Sequence, residues 1–250
     1  MRAFISIVIF ISSSLCTKAQ LSDANAFFNG TYHKAQIRKN KIKQVSVDIF
    51  LNQKISTYYI FQFNKEGFLE IQTILDSSRK KVNAYTFKYN KFGGLIERTN
   101  INYDLGKTYE TTFIKTYNGS QLVSDKSSLL PIITEYTYNS KGQINETYTI
   151  NAPDSLNNLK RKSIYKYDNS GYLQSIITQI VNSDGLTDIL DTSTFTYDKS
   201  GHIVSVSRDN FPTYYISYNR YGLIKSKKFK MSEDFGNIEV IDNYNYTFWK

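Results

Sequence analysis

Cysteine is almost missing from this chain of 250 residues: the one Cys is Cys16. It stands at the end of a stretch that reads as a leader. Disulfides, thiol nucleophiles and cysteine metal sites are therefore excluded together from the remainder. The two histidines, His33 and His202, have no His-x-x-x-His spacing, so the sequence offers no metal site and calls for no cofactor. No nucleophile-elbow motif marks a Ser–His–Asp triad. Gly93-Gly94 does not open a helix, so a phosphate loop is absent. With 3 Pro in the whole chain, strand ladders run almost uninterrupted.

Long apolar runs are missing too. Phe4 to Ile11 is a short apolar core behind Arg2, well below the ~18 residues of a spanning helix. Ser12 to Ser14, Thr17 and Ala19 supply small residues before a cut. Residues 1–19 are read as a signal peptide, with no transmembrane helix left after its removal. Cys16 follows Leu15, where a lipidation signal carries a small residue, so an unmodified leader is expected. The mature chain of 231 residues (250 − 19) is long enough for one large core without disulfides. Export places it in the periplasm, on the cell surface or outside.

The formal charge of +9 falls to +7 once Arg2 and Lys18 leave with the leader. Nucleic acid is excluded as the partner of an exported protein, and an anionic envelope polymer suits the charge. The basic residues are scattered, however, as expected of side chains that protect turns and strand edges.

What is plentiful is aromatic, with 21 Tyr and 16 Phe, residues that favour half-buried strands. They fall in a repeat: aromatic, any, aromatic, Asn or Asp, two residues, Gly, any, aliphatic. Copies begin at Phe61, Phe87, Tyr136, Tyr165 and Phe195, with Ile216 opening the last full one. A degenerate copy surrounds Tyr117-Asn118-Gly119, and Tyr244-Asn245-Tyr246 is a half-copy. Aromatics at i and i+2 share one strand face. Asn or Asp opens a type I turn, and Gly takes the left-handed position that closes a bulged hairpin. Tyr167 is thus expected opposite Leu173, and Tyr197 opposite Ile203. Second turns such as Asp104-Leu105-Gly106 lie between the motifs.

These features predict an all-β antiparallel meander of tandem hairpins over 44–250, with ~14–16 strands. Because hairpins add strands in one direction, a long, curled twisted sheet or open shell is expected. One face would carry Tyr, Phe and Leu, the other Thr, Lys, Ser and Asn. Residues 20–43 fit the repeat poorly and are read as an N-terminal cap. A short helix is expected there from Asp23 through Phe27 and Phe28 to Gly30.

The unit Tyr165-Lys166-Tyr167-Asp168-Asn169-Ser170-Gly171-Tyr172-Leu173 resembles the YD repeat of RHS proteins, and Phe195 to Ile203 resembles it equally. The resemblance extends over Phe61 to Ile224. It implies β-hairpins that wind into a spiral shell. Several copies carry Asn for Asp and none has Arg after the turn glycine; with the repeats running almost to Lys250, no large toxin-like C-terminal domain is expected. The chain resembles the small, secreted, Bacteroidetes-type YD-repeat proteins, and this resemblance implies export and not encapsulation.

The function expected is that of a non-enzymatic envelope or surface module binding a glycan or a protein. Aromatics that break the period are the candidate binding residues: Tyr58, Tyr59, Tyr214, Tyr215 and Trp249. The periodic Tyr are read as cross-strand ladders, and His202 as an exposed residue beside a turn. Three alternatives stand beside this reading. A scaffold of a secreted assembly would use exposed strand edges. A glycoside-active enzyme would use carboxylates such as Glu233-Asp234, Asp188 with Asp191, or Glu97. An outer-membrane β-barrel would account for the strand number and the Phe248-Trp249 ending.

Overall fold

A computed structural model describes residues 34–90, 95–118, 121–128, 132–151, 160–181, 185, 187–209, 211–231 and 238–249. The expected leader and the Asp23–Gly30 helix lie outside the described residues. The described residues begin with helix α1 (Lys34–Lys39). Eight strands follow: β1 (Ile42–Leu51), β2 (Lys54–Phe63), β3 (Leu69–Asp76), β4 (Lys81–Tyr89), β5 (Leu95–Asn102), β6 (Lys107–Asn118), β7 (Gln121–Ser127) and β8 (Ile132–Tyr138). Eight more follow among the described residues: β9 (Ile144–Asn151), β10 (Lys160–Tyr167), β11 (Leu173–Val181), β12 (Thr187–Tyr197), β13 (Ile203–Arg208), β14 (Phe211–Tyr218), β15 (Ile224–Lys230) and β16 (Glu239–Phe248).

Each strand pairs antiparallel with its neighbours in sequence, and β16 then pairs with β1, so sixteen strands close into a barrel. The expectation of an open, curled sheet is corrected here. Strand twist accumulates with every hairpin and carries the last strand back to the first. Both end strands are ten residues long, and their unpaired edges satisfy one another from Ile42 opposite Phe248 to Leu51 opposite Val240. The Asn52 amide donates to the Glu239 carbonyl at 2.9 Å, and the Trp249 amide to the Lys41 carbonyl at 2.7 Å. These bonds fasten the seam at both ends.

The repeat turns behave as their sequence dictates. In the copy at Asp198, the Gly201 amide donates to the Asp198 carbonyl at 3.0 Å, and the Asp198 amide to the His202 carbonyl at 2.9 Å. The Asp198 carboxylate accepts from the Ser200 amide at 2.8 Å and the His202 amide at 2.9 Å. These bonds to the charged form hold its carboxyl below the usual carboxylate range. Gly201 sits at φ 80°. The register slips by one residue at each such hairpin, leaving Tyr167 opposite Leu173 and Tyr197 opposite Ile203. All motif turns therefore lie at one end of the barrel. Ile37 of α1 belongs to the same buried cluster as Phe63, Leu69, Leu223 and Ile224 at that end.

Period-two alternation decides what faces where. Val45, Val47 and Ile49 of β1 share a face with Tyr59 and Phe61 of β2, Val240 of β16, Phe229 of β15 and Tyr214 and Ile216 of β14. All of these are buried. Burial runs continuously across these neighbouring strands while the opposite face carries most of the charge, so this aromatic and aliphatic face is the inner wall. The outer wall carries Ser46, Asp48, Lys88, Glu97, Glu110, Glu135, Glu146, Lys162, Ser217 and Lys228. The two-faced pattern expected from the sequence is present, wrapped into a cylinder.

Candidate functional site

The inner wall is built in rings, because each hairpin contributes equivalent residues at equivalent heights. Nearest the motif turns lies a ring of the second motif aromatics. Their hydroxyls reach one hairpin back: Tyr89 donates to the Leu69 carbonyl at 2.9 Å, Tyr138 to Leu122 at 2.8 Å, and Tyr167 to Ile144 at 2.9 Å. Tyr197 donates to Leu173 at 2.7 Å, Tyr218 to Ile203 at 2.8 Å and Tyr246 to Ile224 at 2.7 Å. The accepting residue is each time the aliphatic that closes the preceding motif, where the bulge leaves a carbonyl outside the ladder. The periodic tyrosines are latches between repeats.

The residue after each turn glycine adds a second link. Phe68 packs on Tyr89 with ring centroids 4.7 Å apart, Tyr172 on Tyr197 at 4.9 Å, and His202 on Tyr218 at 4.6 Å. His202 is half-buried and lies 3.2 Å from the Asp198 carboxylate, so the exposed position expected for it is corrected. A Cβ on Gly201 would run into the Tyr172 hydroxyl, and one on Gly222 would come within 3.2 Å of His202 Nε2. Both glycines sit at positive φ, where a side chain is strained, and at Gly201 the Tyr172 ring would also have to shift.

Charged residues interrupt the apolar inner wall at several places. Lys115 Nζ meets Asp125 at 2.7 Å, with the Lys115 side chain only 1% exposed. Arg208 meets Asp191 at 2.6 Å. Asp242 on β16 is the register partner of Lys227 on β15, and both are buried. Burial pushes the Asp242 carboxyl up to about 6, against the pull of Lys227. These charges were legible as charge at inward positions. Lys115 stands where other copies carry the first motif aromatic, and Asp242 stands two residues before Tyr244.

The five aromatics singled out from sequence occupy different surroundings. Tyr59 and Tyr214 line the inner wall: Tyr59 stacks on Phe61 at 6.0 Å and Tyr214 lies 4.6 Å from Phe229. Burial raises the Tyr59 phenol above its ordinary value. Tyr58 points outward yet is buried, with the Arg79 guanidinium 4.5 Å above its ring. Tyr215 points outward and is 62% exposed. Trp249 follows β16, with Lys43 Nζ at 5.3 Å and Lys65 Nζ at 5.7 Å from its ring. The fold does not bring these five to one surface. Of the carboxylates weighed for catalysis, Asp191 is tied to Arg208, and Glu97 points outward and meets Lys88 at 2.7 Å. Asp188 lies near the end of β12, away from Glu97 on β5. Glu233 and Asp234 lie outside the described residues.

No protein-family model matches the sequence, and no curated protein does. Among solved structures the chain is similar to a porin-like protein from Bacteroides uniformis ATCC 8492, at 12% identity and a TM-score of 0.40, over 83% of this chain and 97% of that one. It is also similar to a Photorhabdus luminescens Tc holotoxin pore, at 12% identity and a TM-score of 0.29, over 71% of this chain and 13% of that one. A third is a protein of unknown function from Bacteroides fragilis NCTC 9343, at 12% identity and a TM-score of 0.19. At such scores these likenesses carry no weight for function.

Proposed function

We propose that this chain is an exported envelope β-barrel whose wall stands in water, and that it works as a non-enzymatic binding module for glycan or protein. The observation that carries the proposal is the polarity of the two faces. The outer wall bears mid-strand charges such as Lys88, Glu97, Glu110, Glu135, Glu146 and Lys162, and the inner wall bears the aromatics. A lipid-facing wall requires the reverse order, and each outward Lys near the bilayer midplane would cost about 2–4 kcal/mol. Several strands are also short for a bilayer: β13 has 6 residues and β15 has 7, against the ~9–11 of a spanning strand. Export and the absence of a catalytic constellation remain readings of the sequence.

A second reading is favoured by one feature. Closure with sixteen antiparallel strands is what an outer-membrane barrel requires, since a bilayer tolerates no open edge. Flotation separates the two. The protein is purified without detergent and mixed with preformed phospholipid vesicles. The water-standing reading expects a monodisperse monomer that stays at the bottom of the gradient. Co-flotation resistant to carbonate, together with aggregation in the absence of detergent, supports the membrane reading instead.

A further inference from the structure

The inner wall is unevenly filled. On β1, β2, β15 and β16 the inward side chains Val45, Phe61, Phe229 and Val240 are fully buried. On β4, β5 and β6 the inward side chains Asn83, Tyr85, Arg98, Asn100 and Phe113 keep partial exposure. Inward residues gain exposure only from space inside the barrel or from its rim. Around Tyr85, Arg98 and Asn100 the inner wall is thus less tightly covered than on β1, β2, β15 and β16, although Thr111 on β6 stays buried.

The register gathers polar groups around Tyr85 on this stretch of wall. Gln72 on β3 and Asn100 on β5 are its cross-strand neighbours. Asn83 precedes it by two residues on the same face, and the Arg98 guanidinium lies 5.8 Å from its ring. Gln72 Nε2, Asn83 Oδ1, Arg98 Nε and Asn100 Oδ1 are all buried, with no hydrogen-bond partner among the described residues. Gln72 itself is 1% exposed. The inward cations Lys115 and Arg208 each hold a carboxylate, whereas Arg98 has none within ion-pair distance among the described residues. Its sequence neighbour Glu97 faces the other way and is held by Lys88. Buried polar atoms are costly unless satisfied, and four in one patch mark a place built to be completed from outside the chain.

We propose that this patch binds a small hydroxylated carboxylate of the sugar-acid class. This rests on the water-standing reading, which leaves the interior reachable from solvent. The carboxylate meets the Arg98 fork, the pairing that guanidinium geometry favours. Hydroxyls both give and accept hydrogen bonds, so they serve the Asn83 and Asn100 amides and the Gln72 amide alike. The Tyr85 ring offers a flat apolar edge for the carbon skeleton. A neutral sugar leaves Arg98 uncompensated. Sulfate has no donors for the two Asn oxygens.

The test is titration of the full chain, first shown to be monodisperse without detergent, with D-glucuronate by calorimetry and by chemical-shift perturbation. Glucose and sulfate are run as controls. Saturable glucuronate binding is expected, weakened about ten- to a hundredfold in Arg98→Ala and partly restored in Arg98→Lys. Gln72→Leu should weaken it as well, and all variants should keep the wild-type circular dichroism spectrum. Should Arg98→Ala fail to fold, Asn100→Ala and wild type with glucose still decide the matter. Absence of glucuronate binding by the monodisperse barrel overturns the site alone. Equal binding of sulfate, or binding indifferent to all three side chains, overturns the sugar-acid assignment. Protein that stays in solution only with detergent overturns the water-standing reading instead.

Discussion

The Tyr197 hydroxyl donates to the Leu173 carbonyl across two adjacent hairpins at 2.7 Å. This one bond explains why the second motif aromatic is Tyr in most copies. Phe could fill the same inner ring, but only a phenol reaches the carbonyl that the preceding bulge has left outside the ladder. Phe63 opens the series, and no earlier motif precedes it in the chain.

Tyr197→Phe should keep the barrel and lose about 1 kcal/mol, the usual net worth of such a bond. Urea unfolding measures this. A loss of similar size is expected at Tyr167, which makes the same bond to Ile144 at 2.9 Å. No change at either position would mean that the latches contribute nothing.

Two glycines with positive φ separate strain from crowding. Gly106 sits at φ 60° with nothing within 4 Å of where a Cβ would stand, whereas a Cβ at Gly201 meets the Tyr172 ring. Gly106→Ala should cost about 1 kcal/mol from backbone strain alone. Gly201→Ala should cost more, and Tyr172→Ala should recover part of the difference. Thermal melts of the two singles and the double variant test this. Strict additivity of Gly201→Ala with Tyr172→Ala would contradict the contact.

Inward and outward ion pairs should differ sharply. Asp125→Ala strands Lys115, whose side chain is only 1% exposed, and should cost about 3–5 kcal/mol. Glu97→Ala breaks the outward, water-screened pair with Lys88 and should cost far less than Asp125→Ala. Chemical denaturation of both variants gives the ratio; equal losses would contradict the burial of the inward pair, and a larger loss in Glu97→Ala would mean that the walls are assigned the wrong way round.

Asp242 makes stability depend on pH. Its folded carboxyl titrates at about 6 against 3.8 for the free group, because burial opposes the charge. The folded state therefore binds the proton more tightly than the unfolded state between these values. Stability from this group is greatest below pH 3.8 and falls as pH rises through 6. Relative to Asp242→Asn, wild type should lose about 3 kcal/mol across that interval. Denaturation of both proteins at pH 4, 5, 6 and 7 measures it. A difference that stays flat, or grows in favour of wild type, would contradict the assignment.

Much of the architecture was legible in the sequence because the repeat encodes local physics. Asn139, Asp168, Asp198 and Asn219 each cap their own turn through the side chain, so strand number and hairpin register followed from spacing. Closure was not legible, because it depends on twist summed over all hairpins. The seam pairs Ser46 with Asn245, nearly the whole chain apart. Choosing candidate residues by broken periodicity picked side chains with no common surface. Tyr58 and Tyr59 are adjacent and so point to opposite faces, as do Tyr214 and Tyr215. The signal that marks the inner patch is polarity at inward phase, at Gln72, Asn83, Arg98 and Asn100. That phase becomes readable only when the register of four strands is known.

Closure of the wall by β1 and β16 is the claim on which the rest depends, and an engineered disulfide tests it most directly. Ser46 and Asn245 are cross-strand partners on the outer face. The variant Ser46→Cys, Asn245→Cys, with Cys16→Ser to remove the native thiol, is oxidised in dilute detergent-free solution. The closed barrel predicts near-complete intramolecular cross-linking of a monomer, with raised thermal stability. Free thiols in the folded monomer, or cross-links formed only between chains, would show that the sheet is open.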